Sequence, residues 1–125
     1  MTWTADQLDR LGRTAELHIN TFRADGSPRR ALPIWVVRVG DDLYVRSAFG
    51  TQGGWYRHAT ADDGRAHISA GPVDADVRLT AVADPATEDA VATAYRTKYR
   101  GQGSALDTMV SDTAAATTLR LDPVG

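Results

Sequence analysis

The sequence predicts an α+β fold, a small antiparallel barrel with helices as inserts. About six short segments with strand character recur along the chain, and turn residues separate them. One helical pattern is long, so the chain lacks the regular alternation of strands and long helices that builds a parallel sheet. Its 125 residues suit a single domain, residues 1–125, with one core.

The first half of the chain predicts a helix followed by an antiparallel meander. Thr4 and Gln7 have the capping-box spacing, and Gly12 is expected to end the helix that follows them. Three strands come next, at residues 15–23, 31–39 and 43–47. The first alternates in polarity and the second is rich in β-branched residues. Turn residues between the strands predict hairpins.

The second half predicts a short helix, two strands, the long helix and a final strand. A glycine-rich turn leads into a helix over residues 55–60. The later elements are expected at 65–70 and 76–83 (strands), 87–99 (helix), 106–110 (helical turn) and 117–121 (strand). Pro85 precedes the long helix and Pro123 follows the last strand, as expected of proline near element limits.

Composition argues against several classes of function. The net charge of −2 gives no basic excess to neutralise a nucleic-acid backbone. Without cysteine there is no disulfide, thiolate nucleophile or cysteine metal site, and the three histidines lack metal-ligand spacing. No apolar run approaches the roughly 20 residues of a membrane helix, and no signal-peptide pattern opens the chain. We therefore expect a cytoplasmic protein that binds a small molecule, with no metal.

The stretch from Leu43 to Ala59 is the most indicative of binding. A strand that feeds a glycine-rich turn and a helix presents backbone N–H groups, which suit a phosphate or carboxylate. Arg46 could pair with that anion through its planar guanidinium. Alternatively, Leu43 and Val45 face the core while Arg46 faces solvent. Thr51 could likewise donate to a ligand or only cap the helix.

Five motifs along the chain resemble one family. They are Pro33-Ile34-Trp35-Val36-Val37, Leu43-Tyr44-Val45-Arg46-Ser47, Gly50 with Trp55-Tyr56-Arg57, Ala94-Tyr95-Arg96-Thr97-Lys98-Tyr99 and Thr117-Thr118-Leu119-Arg120-Leu121. Together they look like the uncharacterised domain-of-unknown-function family 2255. Its layout is similar to the split β-barrel flavin-binding superfamily, which includes the deazaflavin-dependent nitroreductases. The resemblance covers residues 16–121 and implies a split barrel that dimerises face to face, with any flavin in a groove that the second subunit partly completes.

The resemblance also implies an activity, that of a small-molecule oxidoreductase with FMN or a deazaflavin coenzyme. The phosphate side of the cofactor would be held by Arg29, Arg30, Arg46, Ser47, Thr51 and Gln52. Trp55 would stack on the ring or the substrate, or else anchor its helix in the core. The hairpin at residues 26–30 keeps the basic pair of the deazaflavin reductases, with a thinner glycine pattern.

Two other functions stay open. A cofactor-free enzyme could use the same groove for an isomerisation, elimination or cyclisation. Its acid–base candidates would be His18, Tyr44, Tyr95 and Lys98, with burial lowering the lysine pKa. A non-catalytic ligand-binding module is the third hypothesis. Bound chromophore would discriminate the first hypothesis from the other two.

Overall fold

A computed structural model describes residues 2–124 as a curled, seven-stranded antiparallel half-barrel with five α-helices. The strands are β1 (Leu17–Asn20), β2 (Leu32–Ile34), β3 (Val37–Val39), β4 (Asp42–Val45), β5 (Arg65–Ala70), β6 (Val73–Ala81) and β7 (Leu119–Pro123). The helices are α1 (Ala5–Arg13), α2 (Gly54–Ala61), α3 (Pro85–Lys98), α4 (Ser104–Met109) and α5 (Asp112–Ala115), and Gly50–Gln52 forms a 3₁₀ turn. The predicted α+β class is confirmed.

The sheet curls because its two edge strands are neighbours in the chain. The strand order is β2-β1-β5-β6-β7-β4-β3, and each neighbouring pair is antiparallel. Only Trp35 and Val36 separate β2 at one edge from β3 at the other. A chain covers at most about 3.6 Å per residue, so Ile34 and Val37 are no more than about 11 Å apart. The two edges must therefore approach each other at this link.

The prediction of one strand over residues 31–39 is wrong, and so is the simple meander built on it. The hairpins β1–β2 and β3–β4 both form, but the run divides at Val36. Its backbone N–H donates to the Tyr99 hydroxyl at 3.1 Å, and its carbonyl accepts from Lys98 Nζ at 2.6 Å. Because Lys98 at the end of α3 and Tyr99, the C-cap residue of that helix, bind both groups, Val36 does not pair in the sheet.

Helix ends differ from the prediction by a few residues. Thr4 and Gln7 form the predicted capping box, but α1 continues past Gly12 to Arg13. The long helix begins at Pro85, because the Asp84 side chain accepts the Thr87 N–H at 2.9 Å and caps it there. Helix α5 was not predicted. No helix in residues 2–124 combines the length and apolar character that crossing a membrane needs.

Strand β4 is covered on both faces. Leu43 and Val45 point into the half-barrel and pack in the main core. Tyr44 points the other way, into a second cluster that α3 covers with Val91 and Tyr95. The alternation along β4 is as predicted, but its second face meets a helix instead of solvent. This double covering sets the environment of Arg46, the next residue.

Candidate functional site

The candidate site is a groove of about 600 Å³ between β2, the segment after β4, the start of α2, and α4. Its walls include Pro33, Ile34, Trp35, Phe49, Trp55 and Met109. Small-molecule sites commonly measure about 300–1,000 Å³ and are mostly apolar, with a few polar groups. The groove has this size and character.

Trp35 forms a firmly held wall of the groove. Its ring stacks on Tyr99, with centroids 3.9 Å apart and an interplanar angle of 4°. The Tyr99 hydroxyl accepts a hydrogen bond from the Val36 N–H and donates one to the Ala15 carbonyl at 2.7 Å. Burial raises the pKa of Tyr99 to about 12, so it stays a neutral donor. The position of Trp35 is therefore fixed by contacts from α3.

Trp55 anchors its helix in the core, as one of the two interpretations predicted, and it also lines the groove. Its ring meets Tyr56 edge-on, with centroids 6.2 Å apart and an interplanar angle of 79°. Trp55 thus anchors the first turn of α2 against the barrel and presents part of its surface to the groove.

Arg46 borders the groove but is committed to partners inside the protein. Its side chain is 1% exposed. Nε donates to Thr118 Oγ1 at 2.9 Å and Nη1 donates to the Met109 carbonyl at 3.0 Å. Nη2 lies 3.6 Å from Glu88 Oε2, and the guanidinium lies 5.5 Å from the centre of the Tyr95 ring. Burial lowers the pKa of Arg46 from its ordinary value. These contacts tie β4, β7, α3 and α4 together behind the groove.

Ser47 and the glycine turn pack tightly together. The Ser47 N–H donates to Thr117 Oγ1 at 2.8 Å, while Ser47 Oγ is buried with no hydrogen-bond partner in the described chain. A Cβ on Gly53 would collide with Ser47 Oγ. Gly50 has φ of +62°, and a Cβ there would lie 2.5 Å from Thr113 Cγ2. Packing and backbone conformation thus explain both glycines.

The start of α2 supplies free donors beside the groove. Gly53 is the N-cap residue and gives no side-chain cap, so Thr51 does not cap the helix. The N–H groups of the first helical turn have no intrahelical acceptor. Thr51 and Gln52 are exposed in the 3₁₀ turn that precedes them. An anion at this position would meet backbone N–H groups and the favourable end of the helix dipole.

The basic pair of the first hairpin is divided. Arg29 Nη1 donates to the Phe22 carbonyl at 2.5 Å, so that side chain folds back on its own hairpin. Arg30 is exposed and comes two residues before Leu32, which lines the groove. Neither arginine lines the groove, and Arg30 is the one of the pair that is exposed.

The four acid–base candidates do not converge on the groove. His18 is exposed on β1, between the inward-facing Leu17 and Ile19. Tyr44 of β4 and Tyr95 of α3 are buried in one cluster where the helix packs on the sheet, and burial raises the pKa of both phenols. Lys98 lines a different cleft.

Much of the groove was not foreseen from the sequence. Pro33 and Ile34, from one of the five motifs, line it together with Met109, which comes from a distant segment outside those motifs. Phe49 is 79% exposed. A large apolar residue in a glycine-rich turn was the one available signal for it. Within residues 2–124, no group of His, Asp and Glu side chains is arranged to hold a metal ion.

Solved structures share this fold at low sequence identity. The conserved hypothetical protein Rv2991 from Mycobacterium tuberculosis is 12% identical with a TM-score of 0.66, over 100% of this chain and 81% of its own. An FMN-binding protein from Syntrophomonas wolfei is 13% identical with a TM-score of 0.58, over 94% and 82%. A protein named F420 reductase is 20% identical with a TM-score of 0.50, over 94% and 92%. These likenesses confirm the expected split-barrel fold.

Sequence comparison gives the family. A search of curated proteins finds no match. The family model described as "Uncharacterized protein conserved in bacteria (DUF2255)" matches residues 7–121, which is nearly the whole chain. The five sequence motifs that predicted this family all lie inside the matched range. The chain therefore belongs to the DUF2255 family of bacterial proteins.

Proposed function

We propose that this protein binds a flavin-type cofactor, FMN or a deazaflavin coenzyme, in the groove and acts with it as an oxidoreductase on a small molecule. The observation that carries the proposal is the apolar groove of about 600 Å³, walled by Trp35, Phe49 and Trp55. Aromatic walls favour a planar ring through offset or edge-to-face stacking. Split-barrel structures named as an FMN-binding protein and an F420 reductase support the choice of ligand.

The residues present fit both ends of such a cofactor. Its ring would lie against Trp35 and Trp55. Its anionic tail would meet the free N–H groups of the first turn of α2, with Thr51, Gln52 and Arg30 nearby. When bound, the cofactor supplies hydride transfer, and the protein positions it and keeps water away.

Arg46 and Ser47 have an indirect part in this proposal. The buried contacts of Arg46 leave its guanidinium little capacity for a phosphate. Ser47 is buried beside the glycine turn and does not line the groove. Arg46 holds Met109, a groove residue, through the Met109 carbonyl. We therefore assign them the support of the groove instead of contact with the phosphate.

The test begins with an absorption spectrum of freshly purified protein, followed by titration with FMN and with the deazaflavin coenzyme. We expect a bound chromophore or micromolar quenching of one cofactor's fluorescence. Phe49→Ser should weaken binding by about ten-fold, since a lost aromatic contact costs about 1–1.5 kcal/mol. Val124→Ser, another exposed apolar position outside the groove walls, is the matched control. A colourless protein that binds neither cofactor overturns the proposal.

We further propose that the protein is a homodimer whose second copy covers the rim of the groove. Phe49 is 79% exposed and Leu32 is 41% exposed, and both line the groove. Burial of apolar surface drives association. Light scattering of the wild type should give the mass of two chains, and the double variant Leu32→Ser, Phe49→Ser should give that of one. A wild type with the mass of one chain at tens of micromolar would refute the dimer.

A further inference from the structure

A second concavity, separate from the groove, lies between α1, β3 and α3. It measures about 430 Å³ and shares no lining residue with the groove. Gly12 and Arg13 line it from the end of α1, and Arg38 lines it from β3. Thr97 and Lys98 line it from α3. We call this space the α1–α3 cleft.

Lys98 is the chemically distinctive group of the α1–α3 cleft. It is the only lysine in a chain that has 14 basic residues. Its amine is half-buried and donates to the Val36 carbonyl at 2.6 Å and the Leu11 carbonyl at 3.3 Å. Among the described residues, no carboxylate forms a salt bridge with the Lys98 ammonium, and burial lowers the pKa of Lys98 to about 8. A fraction of the amine is therefore neutral at physiological pH.

We propose that Lys98 is an amine nucleophile that forms an imine with a small oxo acid bound in the α1–α3 cleft. Such a site needs a desolvated amine, space beside it for the electrophile, and no carboxylate that fixes it as an ammonium ion. The position of Lys98 at the edge of the cleft and its two carbonyl partners meet these conditions.

The step is a condensation that needs no oxidant or reductant. The lone pair of neutral Nζ attacks the carbonyl carbon, and one Nζ proton passes through solvent to the carbonyl oxygen as the Nζ–C bond forms. The hydroxyl group of the resulting carbinolamine takes up a proton from solvent and leaves as water, and the C=N bond forms as a protonated imine. This imine keeps one N–H, which can still donate to the Val36 carbonyl. The Leu11 carbonyl loses its donor.

Two arginines of the cleft favour a carbonyl compound that carries a carboxylate. Arg13 and Arg38 line the cleft with Lys98, while Asp9 and Asp41 lie 3.2 and 3.8 Å from the two arginines. These arginine pairs are solvent-exposed and therefore weak, so a guanidinium can exchange its partner for a ligand carboxylate.

Reductive trapping tests the proposal directly in the wild-type protein. Glyoxylate and cyanoborohydride are added at pH 7.5, and mass spectrometry compares carboxymethylation of the Lys98 peptide in native and in urea-unfolded protein. At this pH, a pKa of about 8 instead of about 10.4 gives on the order of 200-fold more neutral amine. Because lower basicity weakens the nucleophile, we expect native Lys98 to react about ten-fold faster than unfolded Lys98. Slower reaction in the native state would show a merely buried amine and overturn the proposal.

Matched probes and variants test the choice of an oxo acid. Glycolaldehyde has the same number of carbons as glyoxylate but no charge. For each aldehyde, the labelling rate of Lys98 is divided by that of the N-terminal amine. We expect this ratio to be at least about five-fold lower for glycolaldehyde, which lacks the carboxylate that the arginines bind. Arg13→Gln should slow labelling by glyoxylate. Arg10→Gln, one turn earlier on α1 and paired with Asp6 outside the cleft, should not. Equal rates for the two aldehydes would contradict the carboxylate part.

Discussion

Arg46 is the residue on which most of the surrounding elements depend. A buried guanidinium is stable only where hydrogen bonds and an opposite charge replace its hydration. Thr118, the Met109 carbonyl and Glu88 supply these partners from three other segments. The residue is therefore better described as a cross-link than as an anchor for a ligand.

We predict that Arg46→Ala lowers the free energy of unfolding by about 3–5 kcal/mol, because it leaves Glu88 and the Met109 carbonyl without their partner. Arg46→Lys should also destabilise the protein, since an ammonium cannot reproduce the fork of donors. Urea denaturation measures both. The exposed Arg57→Ala on α2 is the control, with a change within about 0.5 kcal/mol. A loss below about 1 kcal/mol for Arg46→Ala would contradict the cross-link.

Ser47 and Gly53 give a prediction about close packing. Gly53→Ala should destabilise the protein by about 1–3 kcal/mol, because the new methyl group meets Ser47 Oγ. Ser47→Ala should cost little, since that hydroxyl makes no hydrogen bond among the described residues. The double variant should recover most of the loss, and a double-mutant cycle from urea curves measures the coupling. Additive losses would argue against the contact.

For a single residue, the sequence predicts which way the side chain points but not what surrounds it. Alternation correctly places Leu43 and Val45 in the core and the neighbouring side chains on the opposite face. It cannot show what covers that face, because the covering residue Glu88 lies 42 positions beyond Arg46. Long-range packing thus buries Arg46, so the interpretation that it faces solvent is wrong.

The β5–β6 hairpin carries a histidine held by two carboxylates. His67 Nδ1 lies 2.7 Å from Asp76 Oδ1, directly across the hairpin, and Nε2 lies 2.6 Å from Asp74 Oδ1. Hydrogen bonding to Asp76 raises the pKa of His67 above its ordinary value. When His67 is protonated, its imidazolium joins the two strands through both carboxylates.

This arrangement predicts a pH dependence of stability. A histidine whose pKa is higher in the folded protein than in the unfolded chain stabilises the fold. This stabilisation is complete at pH values below the unfolded pKa of about 6.5, and it disappears as the pH rises through the folded pKa. The difference in unfolding free energy between wild type and His67→Asn should therefore be larger at pH 5.5 than at pH 9. Urea curves at both values measure it. His58→Asn, at an exposed position on α2, should show no such trend. A difference that grows with pH would refute the prediction.

Elements with local signals were predicted best. The capping box of α1 and the two hairpins formed as expected. The break at Val36 has no local signal, because the groups that take its backbone come from residues 62 and 63 positions later. A run of β-branched residues can become one strand or two, and tertiary contacts decide.

For the whole molecule, the short link between β2 and β3 sets the curvature of the sheet. Insertion of Gly-Gly between Trp35 and Val36 would let the edges move apart and would disturb the contacts of Tyr99 and Lys98 with Val36. We predict a loss of about 2 kcal/mol or more, at about 1 kcal/mol for each lost hydrogen bond. The same insertion after Gly101, in an exposed turn, is the control and should cost less. Equal effects in urea denaturation would mean that the link does not govern closure.

The fold class followed from sequence, while the groove did not. Antiparallel strands and inserted helices are encoded in local patterns, and the structure contains both. The groove combines Pro33, Phe49, Trp55 and Met109 from four segments, which meet only because the sheet curls. No periodicity within one segment reports such a meeting, so the site required the assembled molecule.

The position of β7 has a consequence for synthesis on the ribosome. This strand follows the other six strands along the chain, yet it lies between β6 and β4. Until residues 119–123 leave the exit tunnel, no strand joins the group β2-β1-β5-β6 to the hairpin β3–β4. The edges of β6 and β4 that β7 later covers are then unpaired, and unpaired edges are templates for association with other chains. Completion of the sheet therefore waits for β7, and the nascent chain is prone to association until that strand has emerged.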